Sequence, residues 1–232
     1  MTNKRSAKHS RAADDGPAAD LVQRIRFAAR KPTRAPAGLA RYVRGARISP
    51  GRVIVGANTT VTGRGRWNVD GAKLTIGVNG MSFSDETDRT VVRNDGTISI
   101  RGHVRFNQGS RIVVREGANL RIGSGTFINP FTIIEASNLI EIGSDCAISW
   151  RCDVIDTSFH QLDYLDRRTE SNVIHVGDHV WVGAGARLLP GADLGDGCVV
   201  AAGSTVGSSF PPGSLIGGSP ARVLRSDVSW SL

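Results

Sequence analysis

The side chains of this chain best suited to proton transfer, nucleophilic attack or metal binding are five histidines and three cysteines. Spacing narrows them. Cys146, Cys152 and Cys198 form no C-x-x-C pair, and an odd number gives no disulfide framework. His175 and His179 stand four apart, without the third converging histidine that a zinc site needs, so no metal is expected. His9 falls near the start and His103 in the middle of the chain. His160 lies in the irregular stretch DTSFHQLDYLDRRTESN, four residues after Asp156. A neutral imidazole, titrating near about 6.5, takes up a proton readily at neutral pH. A carboxylate beside it can orient the ring or raise its basicity.

A repeat must position these groups. In sixes, the C-terminal half runs VGDHVW, VGAGAR, LLPGAD, LGDGCV, VAAGST, and an aliphatic residue opens each unit at Val176, Val182, Leu188, Leu194, Val200 and Val206. Upstream units open at Ile122, Ile128, Ile142 and Ile148 and lead to Ile134, Ile140 and Val154. A period of six fits neither an α-helix nor an alternating strand. Three sixes make one triangular turn of about 18 residues, the opening aliphatic facing inward and adjacent turns pairing as a parallel sheet. The position two before each opener also faces inward. It holds Cys146, Cys152, Val180, Ala186, Ala192, Cys198 and Ser204, so the cysteines read as small core fillers. The register slips near Ile140 and Ile142. It breaks between Val154 and Val176, where 22 residues replace an expected 18, and the surplus forms the loop that carries His160. A long excursion from a regular solenoid is usually functional.

Composition agrees: Gly is abundant, at 28 residues, and aromatics make up only 6%. The net charge of +8 is uneven, because residues 1–52 carry +10 and the remainder −2. A near-neutral body argues against a nucleic-acid surface. Residues 1–47 read as a basic tail, solvated and partly disordered, in which ADLVQRIRFAARK is able to form a short amphipathic helix ended by Pro32 and Pro36. Such a helix suits peripheral contact with an anionic membrane. Residues 48–232 read as the repeat domain, with atypical early turns and a closing segment from Ser208. No stretch is apolar enough to cross a bilayer and the start lacks a signal-like apolar region, so a cytoplasmic location is expected.

Three segments carry a family resemblance: VGDHVWVGAGARLLPGADLGDGCVVAAGSTV, PPGSLIGGSPARVLR and ISWRCDVIDTSFH. With them the chain resembles the hexapeptide-repeat acyltransferases, in particular the galactoside, maltose and polysaccharide O-acetyltransferases. The resemblance implies a left-handed parallel β-helix, acetyl-CoA as co-substrate, a carbohydrate acceptor and a homotrimer with its cleft between subunits. It makes His160 the general base, with Asp156 its orienting partner, and the Ala184 amide the donor to the oxyanion. It places Trp181 on the wall of the donor and acceptor channel and Ala202, Gly203 and Ser204 along the pantetheine arm. Arg222 and Arg225 would reach the nucleotide phosphates, and Asn129 and Asp153 would bind the acceptor. The family's Thr-Lys pair after this coil is replaced by Gly207 and Ser208, which removes one expected phosphate contact. An amine- or antibiotic-acetylating enzyme of the same fold is the alternative. A carbonic anhydrase-like zinc enzyme or a non-catalytic scaffold fits less well, for want of three histidines and of threonine ladders.

Overall fold

The computed structural model describes residues 53–78, 81–85, 87–160 and 172–232, and every regular element among them is a β-strand. The basic tail expected over 1–47, with its helix, lies outside the described residues.

Strands pair in parallel with strands one coil away, giving a prism of three faces. On each face the opening aliphatics stack into an inward ladder. On the first it runs Ile100, Ile122, Ile142, Val176, Leu194, Phe210. On the second it runs Phe106, Ile128, Ile148, Val182, Val200, Ile216. On the third it runs Val92, Ile112, Ile134, Val154, Leu188, Val206. All of these are buried. Removing such a side chain from water contributes about 1.5–3 kcal/mol, so the repeated aliphatic is what drives the coil closed. The third face is a separate seven-stranded sheet. The first two merge into one, because the strands Arg66–Ile76 and Thr97–Phe106 run around their shared corner. Gly102, with φ of 60°, makes that bend in the second of them.

The second inward position is filled as expected. Cys146, Cys152 and Cys198 are buried, and their thiols donate to the carbonyls of Gly177 (3.1 Å), Gly183 (3.3 Å) and Pro211 (3.2 Å). Burial pushes the thiols of Cys146 and Cys152 up to about 11 and raises Cys198 as well. They are inert packing groups. The segment from Ser208 is extended, with strands Ser209–Phe210, Leu215–Gly218 and Ala221–Arg225.

Two register expectations need correction. Val154 is a rung of the inner ladder of the third face, and Val176, the next opener along the chain, is a rung of the first face, paired with Ile142. The interval between them is therefore one side of the prism and not a whole turn. Ile148 pairs with Val182, 34 residues on, whereas Val182 pairs with Val200, 18 residues on. The excursion is sixteen residues beyond a regular coil, not four, and hangs from a single corner. The smaller slip is a two-residue widening of that same corner: Ile134 pairs with Val154 and Ile122 with Ile142, 20 residues apart in each case. The extra pair brings the amides of Ser137 and Asn138 onto the Asp156 carboxylate.

Candidate active site

Outside the second face, the rungs Phe127, Ala147, Trp181, Val199 and Leu215 stack in register and leave an apolar wall. A cavity of ≈ 680 Å³ lies along it, with Trp150 and Met81 on its rim. The segment VGAG, Val182 to Gly185, explains why this wall is open to a ligand. A Cβ at Gly183 would meet the Val200 carbonyl at 2.6 Å, so only glycine lets the coil run this flat. Gly185, at φ 69°, then turns the corner.

Four of the expected site residues line this cavity: Trp181, Ala184, Ala202 and Asn129. Trp181 is 42% exposed, and its indole N–H donates to Ser149 Oγ at 3.2 Å, which fixes the ring upright. The amides on either side of Ala184 are taken: Gly183 donates to the Val200 carbonyl (2.8 Å) and Gly185 to the Trp150 carbonyl (3.0 Å). Among the described residues the Ala184 amide has no acceptor, and neither has the Ala202 amide one coil on. Free backbone donors beside an apolar wall suit a developing oxyanion and the amides of a slender ligand. Asn129 is buried and accepts from Asn107 Nδ2 at 2.9 Å.

The other expected residues fall elsewhere. Gly203 turns the adjacent corner at φ 70° and donates to the Ala184 carbonyl at 2.9 Å. Ser204 does not share the outer surface. Its side chain faces into the prism, as its sequence position two before an opener demands, and its Oγ accepts from the Gly218 amide (3.2 Å). Arg222 and Arg225 lie exposed on the strand Ala221–Arg225, which runs antiparallel to Leu215–Gly218 and extends the second face. Asp153 is on the third face, 3.6 Å from Arg187 Nε, away from the cavity.

His160 is exposed on the excursion from the corner between the third and first faces, which in a triangular prism is opposite the second face. The excursion begins on a rigid base. Asp156 is fully buried, and its carboxylate accepts from the amides of Ser137 (2.6 Å) and Asn138 (2.8 Å). Both its oxygens are engaged by backbone, so it anchors the loop and does not touch the imidazole. Phe159, at φ 59°, lies under the Arg115 guanidinium at 5.0 Å, and Arg115 is itself held by Glu135. The His160 Nδ1 faces the Ser158 carbonyl at 3.3 Å. A carbonyl only accepts, so this contact selects the tautomer protonated on Nδ1 and leaves Nε2 with the free lone pair.

One chain therefore does not bring His160 to Trp181. Sequence reasoning missed Met81, Trp150 and Trp230, which also line the cavity. Trp150 sits two positions after an opener, where side chains project at a corner, and that spacing was available to find it. Met81 and Trp230 lie outside the repeat, and no period marks them.

A polar groove of ≈ 510 Å³ on the first face is lined by Arg121, Glu141 and His175. Several of its polar groups pair with one another: Arg121 with Glu141 at 2.6 Å, and His175 Nδ1 with Asp193 at 2.9 Å. Among the described residues, no group of acidic, His and Cys side chains is arranged to hold a metal, and no helix is long and apolar enough to cross a membrane.

Residues 174–208 match the family model of the bacterial transferase hexapeptide, six repeats. The chain is 26% identical over 145 residues to an Escherichia coli protein named putative lipopolysaccharide biosynthesis O-acetyl transferase WbbJ, covering 58% of this chain and 74% of that one. It is 32% identical over 112 residues to the putative acetyltransferase C18B11.09c of Schizosaccharomyces pombe, covering 47% of this chain and 54% of that one. Among solved structures it is similar to the polysialic acid O-acetyltransferase OatWY, with a TM-score of 0.54, 20% identity, and 78% and 87% of the two chains covered. That last likeness bears out the fold, the left-handed β-helix that the family resemblance implied. The sequence matches bear out the resemblance to hexapeptide-repeat acyltransferases and the class of enzyme, an acetyltransferase.

Proposed function

We propose that this protein is an O-acetyltransferase that moves an acetyl group from acetyl-CoA to a hydroxyl of a sugar or polysaccharide, with His160 as general base and the site formed between copies of a homotrimer. One observation carries the reading: the apolar cavity beside Trp181 and the exposed imidazole of His160 lie on opposite sides of a single prism. Each half is incomplete alone, and a cyclic arrangement of copies joins the imidazole of one to the wall of the next.

In this reading Nε2 of His160 takes the acceptor hydroxyl proton as the oxygen attacks the thioester carbonyl. The carbonyl oxygen gains charge and is met by the Ala184 amide. The carbon–sulfur bond then breaks, and the coenzyme A thiolate leaves with the proton that the imidazolium returns. No covalent enzyme intermediate is required, because the thioester is already activated. The small residues Ala202 and Gly203 let the pantetheine arm approach the backbone, and Arg222 and Arg225 meet the nucleotide phosphates. Asn129 orients the acceptor from the far end of the cavity. Asp153 is best placed to act from the third face on an acceptor bound there.

The relatives named for lipopolysaccharide and polysialic acid support a glycan acceptor. The test is thioester turnover with acetyl-CoA and a panel of glycans. His160→Ala should lower turnover by about 10²-fold or more while the assembly persists in sedimentation. Full activity in that variant contradicts the assignment.

A further inference from the structure

Resting on that reading of the cavity as the donor site, we infer that Trp230 is a donor-positioning residue, held in place by His179 so that it extends the Trp181 wall of the acyl-CoA slot. After the strand Ala221–Arg225 the chain turns at Asp227, φ 56°, and the Val228 amide donates to the Gly213 carbonyl at 2.9 Å. It then returns to the corner that precedes Trp181. There the Trp230 ring lies flat on the His179 imidazole, centroids 4.3 Å apart and planes 7° from parallel. The indole N–H donates to the His179 carbonyl at 2.8 Å. His179 Nε2 lies 3.0 Å from the Trp230 carbonyl, so the proton sits on Nε2 and donates back. Three contacts join two residues 51 positions apart.

The corner itself says that this pairing has a use. Its residues in successive coils, Gly125, Asp145, His179 and Gly197, all have positive φ, between 54° and 80°. Gly125 and Gly197 meet that demand without strain, Asp145 and His179 meet it with a side chain in place, and of the four only His179 offers Trp230 a ring to lie on.

On its other side Trp230 is 6.1 Å from Trp181, and with Leu232 it lines the cavity beside Ala201, Ala202 and Leu215. The result is a slot with a floor of small residues and one side wall made of the two adjoining indoles. A pantetheine arm is a thin chain of methylenes and amides, and such a slot fixes its direction toward the Ala184 amide. Trp230 touches the donor but no reacting atom, so its effect belongs to binding and not to the chemical step.

The test uses the full chain and reads both coenzyme A affinity by calorimetry and steady-state turnover. Trp230→Ala should raise the coenzyme A Kd and the acetyl-CoA KM by about tenfold, with kcat within about twofold. Trp230→Phe, which keeps a ring and loses the N–H donor, should fall between. His179→Gly suits the corner backbone and removes the supporting ring, so it should reproduce the Trp230→Ala shift. It also carries the same criterion if Trp230→Ala fails to fold. An unchanged Kd, or a fall in kcat at constant KM, overturns the inference. A wild-type protein that binds no coenzyme A overturns the functional reading instead.

Discussion

Along the first face the outward rungs run Ser99, Arg121, Glu141, His175, Asp193 and Ser209; along the second they run Arg105, Phe127, Ala147, Trp181, Val199 and Leu215. Their inward rungs are alike, aliphatic apart from one terminal phenylalanine on each, Phe210 and Phe106. The same six-residue unit therefore builds both walls, and only the alternate position decides what each wall meets. Opposite charges stacked on the first face satisfy one another in water. Apolar and aromatic rungs on the second have no such partners, and a ligand or a neighbouring copy is what they are suited to receive. In a strand the two sides alternate, so selection can set the outside without disturbing the inside.

That separation breaks if inner and outer substitutions behave alike. Ile148→Ala, on the inner ladder, should cost about 2–5 kcal/mol in denaturant unfolding. Trp181→Ala, the adjacent outward rung, should leave stability within about 1 kcal/mol and yet cut turnover at least tenfold. Asp156→Ala tests the corner that carries the excursion. It leaves the amides of Ser137 and Asn138 without their acceptor and should cost about 1–3 kcal/mol, with a fall in activity that follows loosening of the loop. An altered pH–rate profile with no loss of stability would instead make Asp156 a direct partner of His160.

A smaller effect comes from the thiols. Cys146 and Cys152 titrate near 9.0 when free and at about 11 when folded, because burial disfavours the thiolate. The unfolded chain thus loses these protons first. Their contribution to stability is whole below about pH 9 and declines as pH rises toward about 11. Melting temperature should drop over that range, and Cys152→Ala should flatten the drop. The smallest effect is expected at Arg121, whose pair with Glu141 is exposed: Arg121→Ala should change stability by no more than about 0.5 kcal/mol.

The sequence made the prism legible because its signal is periodic and every rung repeats it. Cys146, Cys152, Val180, Ala186, Ala192, Cys198 and Ser204 all occupy the interior that their spacing requires. The same rule had already placed Ser204 inside, so its proposed contact with the donor conflicted with the repeat. The cavity residues Trp181, Ala184 and Ala202 were legible through motif likeness. What was not legible is whatever leaves the period. The length of the excursion after Ile155 was miscounted because nothing in it marks a rung. The pairing of Trp230 with His179, and of Asp156 with Ser137 and Asn138, joins positions that share no local pattern. Such contacts follow from the path of the chain in space.

The central claim is that a working site takes His160 from one copy and Trp181 from another. Subunit mixing tests it directly. His160→Ala and Trp181→Ala, each strongly impaired alone, are co-refolded in equal amounts, and acetyl transfer is measured. If the site is shared between neighbours of a trimer, random assembly restores about a quarter of wild-type activity, since that share of interfaces pairs an intact imidazole with an intact indole. Mixed assemblies that form and remain as impaired as either parent would contradict it.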